Sequence, residues 1–252
     1  MITDSWFYLF AIPAVVLVGF GKGSFGGAAA IFGVPLMSFA ISPVQAAAIM
    51  LPVLLAMDVI GLYAWRGTFD PKSLWILLPS ACIGVAAGWL LASTANDDLV
   101  RLVVGLVAFS FAVNHWIGPV RNTAPRGHNV VKGWICGALS GFTSFVSHAG
   151  GPIYQLYTVP LRQEPGIYVG TAIIFFAAVN LAKVPPYLLL GQFSAENLVT
   201  AAVLTPPALA ATYAGAKVAR WMNAELFYRI IYILIFLVSL KLLWDGAVGL
   251  FG

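Results

Sequence analysis

Long stretches without charged residues alternate with short polar links along the whole chain. A helix that crosses the hydrocarbon core of a bilayer needs about 20 consecutive, predominantly apolar residues. Eight stretches approach this length, and the pattern therefore predicts an all-α polytopic membrane protein. The eight predicted spans are 6–20, 43–65, 74–92, 99–116, 130–145, 167–190, 198–218 and 226–244.

Two glycine-containing breaks interrupt this pattern, and each is followed by an apolar piece that is too short for a comfortable span. GFGKGSFGG at 19–27 precedes the piece at 28–40, and SHAGGP at 147–152 precedes the piece at 153–160. Non-helical backbone at membrane depth must line a cavity or be buried in protein. We therefore predict two short broken helices, each the returning limb of a re-entrant hairpin that bends at one of these breaks.

The two halves of the chain carry similar segments in the same order. GTFDPKSL at 67–74 matches GQFSAENL at 191–198 at an offset of 124 residues, and FGG at 25–27 matches AGG at 149–151 at the same offset. Such self-similarity indicates an internal repeat. The predicted organisation is a first membrane repeat at 1–117, a linker at 118–131 and a second membrane repeat at 132–252.

The charges of the loops predict how these repeats are oriented. Lys and Arg concentrate in the cytoplasmic loops of membrane proteins. The loops at 66–72, 119–132 and 217–223 are basic, whereas those at 93–98 and 191–196 are acidic. Each hairpin enters and leaves the membrane on the same side, and the basic loops are cytoplasmic. The alternation of loop charges therefore places both termini in the periplasm and the linker in the cytoplasm, so that the two repeats have opposite orientations. Inverted repeats with interrupted helices are typical of secondary transporters; two parallel halves with kinked helices are the alternative.

Composition limits the class of protein. The 252 residues are 61% hydrophobic and 9% charged, with a mean hydropathy of +0.93, whereas soluble domains carry about 25% charged residues. This composition excludes a soluble enzyme and a disordered chain. A nucleic-acid-binding protein is also excluded, because the net charge of +4 is spread over short loops. Cys82 and Cys136 are too few for a disulfide framework or a metal cluster. No cofactor and no metal are expected.

Polar residues inside the breaks and spans are the candidate site. Charged residues at membrane depth are functional by default, and Lys22, Asp58 and Lys183 meet this condition. Asp58 aligns with Lys183 at an offset of 125 in the predicted repeats. Two interpretations of Asp58 remain: it forms a structural ion pair with Lys183, or it carries a proton. His148 either titrates or hydrogen-bonds a carbonyl group, and it joins Asp58 as a candidate for proton coupling. Lys22, Lys183 and His148 are predicted to bind substrate. The remaining predicted substrate-binding residues offer amides or hydroxyls: Gly23, Ser24, Gly26, Thr143, Ser144, Ser147, Gly150, Gly151, Gln155 and Asn180.

Some polar and aromatic residues have a simpler interpretation. Any single hydroxyl can instead bond back to a carbonyl of its own helix. Trp and Tyr near span ends are typical of the aromatic belts at membrane interfaces. That interpretation applies to Trp6, Tyr8, Trp65, Trp116, Trp221 and Trp244, and we place His115 and His128 at or beyond a membrane boundary.

Four segments together resemble the TauE/SafE family, also called the toluene sulfonate uptake permease family. They are GFGKGSFGG…VPL, LPVLLAMDVIGLYAWRG, GFTSFVSHAGGP…QLY…P and GTAIIFFAAVNLAKVPPYLLLGQ. The last contains Asn180, Lys183, Pro185 and Tyr187 in the N-x-x-K-x-P-x-Y run of the family. The resemblance covers nearly the whole chain. It departs at SFGGAAA, where a glycine-richer run is common, and at Ile153, where many members have a second proline.

The resemblance implies a secondary transporter of the bacterial inner membrane. The expected activity is export of a small sulfur-containing anion, such as sulfite, sulfoacetate or another organosulfonate, bound at the midplane between the two glycine-rich hairpins. The expected partners are this anion and the lipid bilayer, with a homodimer as an option and no nucleic acid. A passive anion channel and a carrier for a non-sulfur organic anion are the alternatives. The motifs GxSxG and HExxH and a pair of intramembrane aspartates are absent, so no enzymatic activity is expected.

Overall fold

The described part of the chain is helical and contains no strand. The computed structural model describes residues 2, 4–91, 96–117 and 125–251, so parts of the loops predicted at 93–98 and 118–131 lie outside the described residues. Two short 3₁₀ helices lie at Ala28–Phe32 and Val159–Leu161. The α-helices described are α1 (Ser5–Phe25), α2 (Gly33–Met37), α3 (Pro43–Ala64), α4 (Pro71–Leu91), α5 (Asp97–Ile117), α6 (Val130–Ser147), α7 (Gly150–Thr158), α8 (Pro165–Leu189), α9 (Ala195–Ala219) and α10 (Ala224–Phe251).

All of these helices except α2 and α7 are long and apolar enough to cross a membrane. The eight predicted spans are therefore confirmed, and each coincides with one helix, although α1 and α10 continue beyond the predicted ends at 20 and 244 to Phe25 and Phe251. Side chains that cap helix N-termini explain the agreement at several boundaries. Asp4 accepts a hydrogen bond from the backbone N–H of Trp6, and Ser42 accepts one from that of Gln45. Asn129 and Ser194 cap α6 and α9 in the same way.

The first predicted hairpin consists of α1 and the short segment that follows it. Gly33, at the start of α2, lies against Val18 of α1, and the ring of Phe39 lies 5.3 Å from that of Phe10. The chain therefore runs back along α1 towards its beginning. This confirms the hairpin, while the side of the membrane from which it enters stays a prediction.

The second hairpin consists of α6 and α7. Ser140 Oγ donates a hydrogen bond of 2.8 Å to the carbonyl of Gly150, at the start of α7. Lys132 Nζ, near the start of α6, donates one of 2.8 Å to the carbonyl of Leu156. Because the start of α7 lies beside the second half of α6, and its later part lies beside the start of α6, α7 runs antiparallel to α6. The prediction of a second hairpin is confirmed.

The breaks themselves are shorter than the sequence indicated. Helix α1 continues to Phe25, and only Gly26 and Gly27 adopt left-handed conformations, with φ of 68° and 94°. The prediction of a non-helical break at 19–27 is therefore wrong for 19–25. A Cβ atom at Gly23 would collide with the carbonyl oxygen of Thr212, so this glycine permits close approach of α9 instead of interrupting the helix.

The second break is also short, because α6 continues through Ser147 and α7 already begins at Gly150. Only His148 and Ala149 separate the two helices. His148 adopts a left-handed conformation with φ of 53°, and its backbone N–H donates to the carbonyl of Thr143. The left-handed residue ends α6 and reverses the chain direction.

The helices form two compact units, and each unit combines segments from both predicted repeats. Unit 1 contains Met1–Phe69 and Gly166–Trp221, and unit 2 contains Asp70–Pro165 and Met222–Gly252. Within unit 1, α1 and α3 pack on α9; within unit 2, α4 packs on α6 and α5 packs on α10. The boundaries proposed for the repeats concern sequence duplication, and they stay a prediction.

Close packing in the two units uses aligned positions of the predicted repeats. Ala208 and Thr212 of α9 lie against glycines of α1. At the repeat offset of 124, Gly84 of α4 aligns with Ala208, and Gly88 aligns with Thr212. These two glycines lie against residues 138–145 of α6. Small residues at such positions allow helix backbones to approach closely. The correspondence supports the duplication that the sequence indicated.

Candidate functional site

Four polar side chains meet in the apolar interior of unit 1. Lys22 comes from α1, Asp58 from α3, and Asn180 and Lys183 from α8. All four are buried, and Lys183 has 0% of its surface exposed. Because isolated charges are costly in such surroundings, these residues depend on the contacts that they make with one another.

The Asp58 carboxylate lies at the centre of this cluster. Its Oδ1 is 2.7 Å from Lys22 Nζ, and its Oδ2 accepts a hydrogen bond of 2.8 Å from Asn180 Nδ2. Asn180 Oδ1 in turn accepts a bond of 3.5 Å from Lys183 Nζ. The four side chains therefore form one connected polar network across three helices, which we call the Lys22–Lys183 cluster.

Helix geometry brings the members of this cluster together. Asn180 and Lys183 are three residues apart on α8 and therefore share a face. Leu54 and Asp58 are one turn apart on α3, and Lys22 Nζ donates to the Leu54 carbonyl at 3.4 Å as well as contacting the Asp58 carboxylate. Lys22 belongs to the last turn of α1, where the helix dipole favours a cation.

The charges of the cluster do not balance. With the two lysines and Asp58 ionised, it carries one surplus positive charge among buried helices, and Asn180 is neutral. A bound monovalent anion would bring the formal charge to zero, and protonation of Asp58 would raise it to two. The arrangement is therefore suited to an anion, since buried charges are tolerated where they are paired.

The ion pair of Asp58 with Lys22 is a contact that the sequence comparison did not indicate. Alignment of the repeats suggested a pair between Asp58 and Lys183. In the structure, Asn180 connects these two residues by accepting from one and donating to the other. The hydropathy pattern identified all three charged residues, but it could not indicate which helices lie side by side.

Three predicted binding residues near the first turn have packing contacts. Ser24 Oγ donates a bond of 2.6 Å to the carbonyl of Phe20 in its own helix. The carbonyl of Gly23 accepts a bond of 3.0 Å from Trp65 Nε1, and Gly26 lies against Ala172. Roles in substrate binding for Gly23, Ser24 and Gly26 stay predictions.

The predicted binding residues of the second break all lie in unit 2. Thr143 Oγ1 donates to the carbonyl of Leu139 at 2.8 Å, and Ser147 Oγ donates to that of Thr143 at 3.3 Å. These hydroxyls thus bond back to their own helix. The other candidates in this hairpin are buried: Ser144, His148, Gly150, Gly151 and Gln155. Their contact with substrate stays a prediction.

Trp65 differs from the other tryptophans assigned to the aromatic belt. Trp6, Trp116, Trp221 and Trp244 are exposed, as expected at a membrane interface, but Trp65 has only 6% of its surface exposed. It points into unit 1, where its indole N–H bonds to Gly23. The assignment of Trp65 to an exposed belt is wrong, because this bond draws the ring into the helix packing.

A polar cluster in unit 2 had no counterpart in the sequence analysis. His128 Nε2 lies 3.4 Å from Asp70 Oδ2, and its Nδ1 lies 3.3 Å from the hydroxyl of Tyr157. Asp70 Oδ2 also accepts bonds of 2.6 Å from Ser73 Oγ and from Gln163 Nε2. An aspartate directly before a proline, as at Asp70, is a signal for the start of a helix. This local signal does not indicate that His128 and Gln163 contact the Asp70 carboxylate.

The described residues contain no group of three or more His, Cys, Asp or Glu side chains that could hold a metal ion. Eight membrane-length helices, two hairpins with short returning helices and a buried cationic cluster are features of a multi-pass membrane transport protein. The family model described as "Sulfite exporter TauE/SafE" matches residues 11–242, and the chain therefore belongs to the TauE/SafE family of transporters. Comparisons with curated proteins and with solved structures give no match.

Proposed function

We propose that this protein exports a small sulfur-containing anion, such as sulfite or an organosulfonate, and that the Lys22–Lys183 cluster binds it. The observation that carries this proposal is the presence of two amines and one carboxylate in a buried network. Membership of the TauE/SafE family supports the class of substrate. A sulfonate stays ionised at physiological pH, so its site needs fixed positive charge and no proton donor.

Asp58 acts in this proposal as an internal counter-ion. When no substrate is bound, it pairs with Lys22 and keeps that ammonium from being an isolated buried charge. An entering sulfonate offers three acceptor oxygens, and each lysine ammonium has three donors. The substrate therefore competes with Asp58 for Lys22 and adds contacts to Lys183, while the Asn180 amide can serve as a donor or an acceptor.

The direction of transport follows from the membrane potential. An anion that leaves a cell with a negative interior gains about 2.3 kcal/mol per charge for each 100 mV. Export therefore proceeds without a coupling ion, whereas uptake would need one, with Asp58 and His148 as the proton-carrying candidates. The proposal places the protein in the bacterial inner membrane, with residues 118–131 in the cytoplasm and both termini in the periplasm.

Reconstituted protein tests this function. Proteoliposomes would be loaded with sulfite, thiosulfate, sulfoacetate or isethionate, and efflux would be followed under an imposed potential. We expect saturable flux with counterflow, strongly reduced by Lys183→Met. Lys241→Met is the matched control, because Lys241 lies in another long apolar helix, α10, and pairs with Asp245.

Two outcomes would contradict the proposal. Normal flux in Lys183→Met protein would remove the cluster as the binding site. Flux of these anions that neither saturates nor shows counterflow would identify a passive channel instead of a carrier.

A further inference from the structure

A second cationic site lies in unit 1, where the ends of α3 and α9 border a cleft of about 750 Å³. Arg66, Lys217 and Arg220 line the cleft, and its described lining residues include no carboxylate. All three cations are exposed. The cleft therefore presents a concentrated positive charge that no acidic neighbour in its lining neutralises.

Aromatic rings hold these cations in place. The guanidinium carbon of Arg66 lies 5.1 Å from the centre of the Tyr63 ring, and that of Arg220 lies 5.3 Å from the centre of the Trp65 ring. Lys217 Nζ lies 5.6 Å from the centre of the Trp221 ring. Cation–π contacts orient a cation but leave its net charge in place. The hydrogen-bond donors are thus ordered in advance while the charge remains available to a ligand.

The cleft shares a wall with the helix that carries Lys22. The Trp65 indole, which lines the cleft, donates its bond to the carbonyl of Gly23, the residue that follows Lys22. Ala216, which also lines the cleft, lies where Gly23 approaches α9. The cleft therefore adjoins the part of α1 that carries Lys22, although none of the cluster residues belongs to its lining.

We propose that this cleft binds a tetrahedral oxyanion. A guanidinium can donate two parallel hydrogen bonds to the oxygens of a sulfonate or a phosphate, and the aromatic faces suit an attached organic group. The oxyanion is either a sulfonate solute on its way to the Lys22–Lys183 cluster or the phosphate of a lipid headgroup. The delivery of solute to that cluster rests on the function proposed above, whereas binding in the cleft does not.

The test removes the three charges and compares binding of two probes. The variant is Arg66→Gln/Lys217→Gln/Arg220→Gln, and Lys72→Gln is the control, because Lys72 is an exposed cation soon after Arg66 in the sequence but outside the cleft lining. Both are made in a Lys183→Met background, so that the buried cluster contributes little. Radiolabelled methanesulfonate binding is measured on detergent-purified protein, and retention of phosphatidylglycerol is measured by native mass spectrometry.

We expect the triple variant to weaken binding of one probe by roughly tenfold or more, equivalent to at least about 1.4 kcal/mol, and the control to bind normally. Loss of methanesulfonate identifies a solute site, and loss of phosphatidylglycerol alone identifies a headgroup site. Unchanged binding of both probes, or absence of binding by both starting proteins, would overturn the proposal. If the triple variant does not fold, Arg66→Gln/Lys217→Gln replaces it, because it keeps the bond from Arg220 to the carbonyl of Ala64. Transport by Lys183→Met protein separately tests the proposed function.

Discussion

Lys22 and Asp58 form an ion pair of 2.7 Å between α1 and α3, with both side chains almost entirely buried. Removing one partner of a buried pair leaves an uncompensated charge, which usually costs more than removing both. The pair therefore makes Lys22 and Asp58 structurally dependent on each other. Lys183 is the cation of the cluster that lies outside this pair, and under the function proposed above its substitution is expected to weaken anion binding while the pair stays intact.

Replacement of Asp58 by Leu should destabilise the protein by about 3–5 kcal/mol, because Lys22 and Lys183 would remain buried without a carboxylate. The double variant Lys22→Met/Asp58→Leu should recover part of this loss, because one buried ammonium remains instead of two, and neither variant should transport. Thermal unfolding in detergent measures the difference. A double variant no more stable than Asp58→Leu would show that the pair has no such role.

Asn180→Asp should weaken anion binding roughly tenfold or more, equivalent to at least about 1.4 kcal/mol. The substitution keeps the shape of the side chain but adds a carboxylate beside Lys183, so the formal charge of the cluster falls from one to zero. Binding of methanesulfonate to purified protein checks this expectation. Asn114→Asp, at an exposed position of α5, is the control and should bind normally; equal effects in both variants would contradict the charge argument.

Gly26→Ala should lower the melting temperature more than Gly67→Ala. Both glycines adopt left-handed conformations, with φ of 68° and 78°, and a side chain at either costs about 1–3 kcal/mol. At Gly26 the added Cβ would also collide with Ala172, whereas nothing lies within 4 Å of it at Gly67. Equal melting temperatures would mean that the tight contact at the first hairpin does not contribute to stability.

Reporter fusions should place the linker and the termini on opposite sides of the membrane. A fusion at residue 125 should be active with a cytoplasmic reporter, and fusions at both termini should be active with a periplasmic one. The expectation rests on the basic loops at 66–72, 119–132 and 217–223. A cytoplasmic C-terminus would contradict the inverted orientation of the repeats.

The sequence allowed the long helices and both hairpins to be predicted, because their signals are local. Runs of apolar residues define the spans, and capping residues such as Ser42 and Asn129 mark where helices begin. Glycine was the misleading signal. Gly19 and Gly23 looked like a break in a helix, yet they belong to α1 and face α9. A glycine needed for close packing and one needed for a turn are identical in sequence.

The candidate site was only partly predictable for a different reason. Scarcity of charge within the spans was enough to single out Lys22, Asp58 and Lys183. Their connections depend on which faces of α1, α3 and α8 meet, and that is a property of tertiary packing. Trp65 shows the same limit: its place near a span end suggested an exposed ring, whereas its bond to Gly23 is a long-range contact.

Unit 1 consists of two separate stretches of the chain, Met1–Phe69 and Gly166–Trp221. The members of the Lys22–Lys183 cluster are therefore synthesised at two different times. A ribosome synthesises a chain from its N-terminus, so Lys22 and Asp58 emerge well before Asn180 and Lys183 exist. During this interval, the nascent α1 and α3 can neutralise each other's charge while they enter the bilayer. Lys183 on α8 is synthesised later, when the Asp58 carboxylate is already paired with Lys22. Under the function proposed above, the same aspartate would thus serve membrane insertion first and anion binding afterwards.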